Sequence, residues 1–119
     1  MGNDELTAGE VDEIELSDAF FDFTEKYTLK TSTIHVPARI PKEKVKEIKQ
    51  TAKTIYQALG CRGFARVDMF LSADGKVIFN EVNTIPGFTA HSRYPNMMKA
   101  VGISFEQVIS RVIELAAGV

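Results

Sequence analysis

The sequence predicts an α+β fold in which an antiparallel sheet carries helices on one face. Three observations lead there. Asp74-Gly75 separates two apolar runs between Phe64 and Asn83, a strong local signal for a β-hairpin. Two other stretches, one before and one after that hairpin, repeat their apolar residues at helical spacing. The 119 residues make about one domain, and 45% hydrophobic with 25% charged residues is a soluble globular composition.

The elements follow in chain order. Val11 to Leu16 alternates like a half-exposed strand, whereas Phe20 to Lys30 mixes aromatics and charges without a period and reads as a loop. Thr33 to Val36 is strand-like and is closed by Pro37. From Pro41 to Leu59, the residues Val45, Ile48, Ala52, Ile55 and Leu59 step by threes and fours, giving a helix with one buried stripe that Gly60 ends. After the hairpin comes a loop punctuated by Pro86-Gly87 and Pro95, then a short helix from about Asn96. Ser104 with Gln107 forms a capping-box signature for a last helix, whose stripe is Phe105, Val108, Ile109, Val112, Ile113 and Ala116.

Charge and composition exclude several classes. No apolar run approaches a membrane span, and no signal segment opens the chain. Cys61 alone excludes an internal disulfide framework and fits a reducing, cytoplasmic compartment. Residues 1–20 hold seven acids and no bases, and the remainder holds nine acids against 14 bases, a balance of +5. That asymmetry suits anionic small molecules. The lysines between Lys42 and Lys53 alternate with Glu43 and Glu47, which reads as a solvated helix face and not as a nucleic-acid patch.

The hairpin poses the chemical question. A two-residue turn at Asp74-Gly75 sets Ala73 opposite Lys76, Asp68 opposite Glu81 and Arg66 opposite Asn83. Like charges directly opposed on a sheet are unfavourable. The same register puts Val67–Val82, Met69–Asn80 and Leu71–Ile78 on an apolar back. On the front, two carboxylates and an amide oxygen suit a hard cation, and Mg²⁺ is the one that leaves coordination positions to waters and phosphates. The plainer alternative is an acid pair neutralised by a base, and Arg66 is placed to be that neutraliser. Phe70 and Phe79, expected on the same front face, read either as an apolar floor for a purine or as core. Zinc is disfavoured, since His35, His91 and Cys61 do not cluster in sequence.

At these residues the chain resembles a known family. "GCRGFARVDMF" followed by "FNEVNTIPGFTAHSRYP" resembles the C-terminal half of the ATP-grasp D-alanine–D-alanine ligases, and the likeness runs back through "FFDFTEKY" to "MGN". It therefore covers residues 1–119 as one ATP-grasp C-terminal portion. Arg93 after Ser92, where housekeeping ligases usually carry an apolar residue, is most similar to the vancomycin-resistance ligases. "DFTEKYTLKT" resembles the loop of the D-alanine–D-serine subgroup more than that of the D-lactate one, which lacks the Lys-Tyr pair.

The resemblance implies a set of roles. Asp68, Glu81 and Asn83 match the ligands of two Mg²⁺ ions (Mn²⁺ being an alternative) that bridge the phosphates of ATP, with Glu81 shared between them. Arg66 matches the arginine that stabilises the transferred phosphoryl group. The Gly87 N–H matches an oxyanion donor, and Ser92 a residue binding the second substrate's carboxylate, although a cap for the next helix is its plainer reading. Lys26 lies in the matching loop near the γ-phosphate, Tyr27 closes over the substrates, and Phe20 and Phe70 match adenine-pocket walls. The implied substrates are ATP, D-alanine and a second D-amino acid, joined through an acyl phosphate.

The family's enzymes are much longer, so the chain reads as a truncated portion that is inactive by itself. The intact enzyme is expected to be a homodimer, and in the fragment residues from about Leu16 to Lys30 are expected to be displaced or exchanged with another copy. A metal- or nucleotide-binding module without chemistry is the competing expectation.

Overall fold

The structure, a computed structural model, describes residues 1–16 and 32–118. Its elements are β1 (Glu13–Leu16), β2 (Ser32–His35), α1 (Lys42–Ala58), β3 (Arg66–Leu71), β4 (Val77–Asn83), α2 (Arg93–Lys99) and α3 (Phe105–Ala116). The antiparallel pairing resolves into two separate two-stranded sheets, β1–β2 and β3–β4. α1 lies against β3, and α2 packs on α3.

The helices end where local chemistry ends them. Pro41 has no N–H to lose at the N-cap of α1, and Gly60 takes the left-handed φ of +68° just past its end. Ser104 and Gln107 form the expected reciprocal capping box on α3, at 3.1 and 2.8 Å. α2 begins earlier than the sequence suggests, at Arg93, with Pro95 inside its first turn. Proline is tolerated there because first-turn N–H groups have no helical acceptor.

The core is an aromatic and sulfur-lined cluster. Tyr94, Met98 and Val108 are buried, and Phe64, Phe88, Ile103 and Val112 pack around them. Phe64 meets Phe88 edge-on, with ring centroids 5.7 Å apart. Two predicted stripes need correction. On α3, Val108 and Leu115 are buried, while Ile109 and Ile113 face outward, because the helix turns its 105–108–112–115 row toward α2. At the end of α1, Leu59 is exposed, whereas Tyr56 within the helix is buried, its hydroxyl donating to the Gly2 carbonyl at 2.7 Å. Tyr56 escapes an apolar count because its ring is oily and only its tip is polar.

The first residues are stitched across the domain. Gly2 N–H donates to Gly63 O at 2.8 Å, Asn3 Nδ2 to Leu115 O at 3.0 Å, and Glu10 N–H to Met97 O at 2.9 Å. β1 then pairs with β2 in the register Glu13↔His35 to Leu16↔Ser32. Arg39 braces this sheet, reaching Glu13 Oε2 and Glu15 Oε2 at 2.9 Å each, and Glu15 also meets His35 at 3.2 Å. Hydrogen bonds from Arg39 hold both carboxyls below the usual glutamate range.

Two expected outcomes follow from this packing. Met98→Ala empties a site 1% exposed and lowers unfolding stability by about 2–5 kcal/mol; Ile113→Ala, 64% exposed, changes it by less than about 0.5 kcal/mol. Urea midpoints at unchanged slope compare the two. In the second test, carboxyl NMR titration locates Glu13 and Glu15. A depressed folded-state value stabilises above the ordinary carboxylate pKa, and that contribution disappears as pH falls through the depressed value. Arg39→Met therefore returns both midpoints upward to the ordinary range, and midpoints that stay low would contradict the bracing.

Candidate functional site

The hairpin reaches its predicted register by a different route. Ser72 N–H donates to Lys76 O at 2.9 Å and Gly75 N–H to Ser72 O at 3.0 Å, with Gly75 at φ +85°. The loop thus has three residues, Ala73, Asp74 and Gly75, and not two, with glycine in the left-handed position such loops require. The one-residue offset is then removed by a bulge in β4, where Asn80 is the extra residue. Beyond it Asp68 pairs with Glu81, Val67 with Val82 and Arg66 with Asn83.

Between turn and bulge the offset persists, so two expected pairings fail. Met69 pairs with Phe79 and Phe70 with Ile78. Cross-strand partners share a face. Phe79 therefore goes with Met69 on the back, and Ile78 joins Phe70 on the front beside the carboxylates. Phe70 and Ile78 are about half exposed, at 55% and 49%.

On that front Arg66, Asp68 and Asn83 are bonded together. Arg66 Nε and Nη2 donate to the two Asp68 oxygens at 2.8 and 2.9 Å, and Asn83 Nδ2 donates to Asp68 Oδ2 at 3.1 Å. Both charged side chains are mostly buried, at 17% and 16% exposure. Glu81 faces Asp68 from β4. Arg66, Asp68 and Glu81 border an open groove of about 620 Å³, which Phe70, Asp12 and Arg93 also line.

Asp12 and Arg93 form a second pair that sequence reading misses. Arg93 Nε and Nη2 donate to Asp12 Oδ2 and Oδ1 at 2.8 and 2.7 Å, with the Asp12 side chain only 2% exposed. Burial works against the Arg93 cation, but its bonds to Asp12 and the charges of Asp12 and Asp68 outweigh that, holding its pKa above the ordinary value. Arg93 thus lends positive charge to Asp68 without bonding it. Its partner is 81 positions away in sequence, and Asp12 alone reads as one more polar residue of an alternating strand.

Gly87 and Ser92 meet in the loop between β4 and α2. A Cβ on Gly87 would stand 3.1 Å from Ser92 Oγ, so glycine lets that hydroxyl lie against the chain. Ser92 holds the N-cap position of α2, yet its side chain makes no capping bond. Its Oγ instead accepts from Thr89 N–H at 3.0 Å and meets Thr89 Oγ1 at 2.9 Å. His91 is exposed beside it. Phe20, Lys26 and Tyr27 lie outside the described residues.

The donor chemistry fits a hard divalent ion. The carboxylate that would ligate it already holds a cation, and an opposed carboxylate and an amide stand beside it. Among the described residues no three His, Cys, Asp or Glu side chains gather into a group that could hold a metal ion, so the candidate set relies on the Asn83 amide and on outside ligands. No described helix is long and apolar enough to cross a membrane.

Comparison with known proteins gives this geometry its context. The vancomycin C-type resistance protein VanC2 of Enterococcus casseliflavus is 47% identical over 116 residues, covering 98% of this chain and 33% of that protein. The crystal structure of the VanG D-Ala:D-Ser ligase from Enterococcus faecalis superposes with a TM-score of 0.85 at 64% identity, over 96% of this chain and 33% of that one. The D-alanine–D-alanine ligase of Bacillus anthracis, solved in complex with ATP, gives 0.75 at 27% identity over 92% of this chain and 34% of that one. The chain spans about a third of the length of the curated relatives it matches. The family model of the D-ala D-ala ligase C-terminus matches residues 1–114, and the chain belongs to that ligase family as its C-terminal portion.

Proposed function

We propose that this chain is the Mg²⁺-, ATP- and acceptor-binding portion of a cytoplasmic ligase that joins D-alanine to D-serine for peptidoglycan precursors of the vancomycin-resistant type. The observation that carries the reading is the Arg66–Asp68–Asn83 set facing Glu81 across one hairpin, in a chain 64% identical to a D-Ala:D-Ser ligase. That identity favours D-serine over D-alanine as the acceptor.

Each residue has a task in this reading. Asp68, Glu81 and Asn83 hold Mg²⁺, which when bound neutralises phosphate charge and fixes its direction. Phe70, with Ile78 beside it on the front face, forms the apolar floor for the adenine, and Phe20 supplies a further wall. Arg66 stabilises the phosphoryl group in transfer, where positioning and charge neutralisation dominate. Gly87 offers its N–H to the oxyanion formed when the acceptor amine attacks. Ser92 Oγ, held by Thr89, points its remaining hydrogen-bonding capacity at the acceptor carboxylate. Lys26 and Tyr27 contribute from the segment between β1 and β2.

A chimera tests this directly. Residues 1–119 replace the matching C-terminal third of the E. faecalis VanG ligase, and dipeptide formation is measured with D-serine and D-alanine in competition. The expected product is predominantly D-alanyl-D-serine; a folded chimera that hydrolyses no ATP and forms no dipeptide would refute the reading. In the active chimera Arg66→Ala lowers kcat by about 10²–10³ with a smaller change in the KM for ATP. Asp68→Asn instead raises the Mg²⁺ concentration needed, since it removes ligand charge and keeps shape. Rescue of Arg66→Ala by excess Mg²⁺, but not of Asp68→Asn, would reverse the two assignments.

A further inference from the structure

Asp68 already has a cation. The Arg66 guanidinium covers both of its oxygens, at 2.8 and 2.9 Å, in a largely buried pair. Asn83 turns its NH₂ end to Oδ2 at 3.1 Å. An NH₂ group offers hydrogens and no lone pair, so in this orientation Asn83 cannot share a metal ion with Asp68. A divalent ion on Asp68 would stand beside the like-charged guanidinium that covers both oxygens. That repulsion is relieved when the guanidinium gives up a carboxylate oxygen, and Asn83 joins the ion when its amide rotates to present its Oδ1.

Arg93 differs from Arg66 in what it can do. Two bonds to the buried Asp12 carboxylate fix it, and its charge acts on Asp68 from that fixed place. Asp68 is thus served by one exchangeable cation and one permanent one. Withdrawing Arg66 with nothing in exchange would leave a mostly buried carboxylate without its direct partner, which is strongly unfavourable. An incoming divalent ion removes that penalty.

On the reading that this face takes Mg²⁺ and nucleotide phosphates, we infer that Arg66 is the resident counter-ion of Asp68, and that a divalent cation takes its place and frees the guanidinium for a phosphate. The exchange swaps ligands around one carboxylate and breaks no covalent bond. The arginine then reaches the phosphates only once the metal has arrived. It also makes Arg66 a competitor of the metal in the unloaded protein.

Mn²⁺ binding to the full 119-residue chain, followed by electron paramagnetic resonance without nucleotide, tests the exchange. Arg66→Met is expected to bind Mn²⁺ about tenfold more tightly than the unaltered chain, because a charge-assisted competitor is gone. Arg66→Lys, which keeps the charge and loses the two-pronged bond, should fall between. Arg111→Met, which removes a cation of α3 that pairs with Glu114, should shift affinity by less than about twofold. Equal or weaker binding by Arg66→Met, with binding abolished in Asp68→Asn, overturns the exchange and leaves the metal site standing. Unaltered Mn²⁺ binding in Asp68→Asn overturns the metal site itself. Should Arg66→Met fail to fold by circular dichroism, the Arg66 Nε–H resonance of the unaltered chain decides. Saturating Mg²⁺ is expected to shift it, and a resonance that does not move overturns the proposal.

Discussion

The placement of Asp68 opposite Glu81 depends on two one-residue irregularities that cancel. The three-residue loop at Ala73–Gly75 shifts the pairing by one, and the bulge at Asn80 shifts it back. Either alone would slide β4 by one residue and turn its side chains to the other face. Glu81 and Asn83 would then leave the front, and the apolar Val82 would replace them. The loop is fixed from outside the sheet, since Lys44 Nζ on α1 donates to Gly75 O at 2.7 Å and also holds Glu47 at 2.8 Å. The bulge thus sits between an anchored turn and the acid pair, and that position sets the site.

The second constraint is the Asp12–Arg93 pair. It joins the segment leading into β1 to the first turn of α2, next to Ser92, and so ties the loop after β4 to a distant part of the chain. A buried ion pair of this kind is weak evidence for stability, because apolar side chains of the same volume often do as well. Its effect here is directional. Two parallel bonds fix the angle at which α2 leaves the loop, and they keep a positive charge near Asp68 that an apolar residue would not supply.

How much of this was legible follows from the range of each interaction. Local signals survived folding: the capping box at Ser104, the stop at Gly60, and the apolar periodicity that located α1 and α3. The acid pair was legible for a partly fortuitous reason, since a two-residue turn and a loop-plus-bulge give the same register at Asp68 and Glu81. Nothing in "VIFNEVN" marks Asn80 as an extra residue, so the misplaced faces of Phe79 and Ile78 were not recoverable from alternation. Ile109 and Ile113 show the related failure on a helix, because a stripe wide enough for either side is narrowed only by what packs against it. Arg93 stands out in the sequence as an unusual charge, but its partner depends on the path of the first 12 residues, which carries no local signature.

That path also changes the meaning of the chain's charge asymmetry. The acidic front end looks like a separate negative patch, with a basic remainder to attract anions. In the folded chain the front-end acids are largely matched by later bases: Glu10 lies 4.0 Å from Lys49, Asp12 holds Arg93, and Glu13 and Glu15 share Arg39. Three of the later bases, Arg39, Lys49 and Arg93, are therefore used in tying the first segment down, and both arginines at the candidate site are already paired with aspartates. On the proposed function, positive charge for an anionic substrate at this site would have two sources. Metal ions on the carboxylates would bring it in, or those ions would set it free by displacing an arginine. On that reading a site whose arginines are already paired offers little free positive charge until its cation is present, and its electrostatics are decided by what binds first.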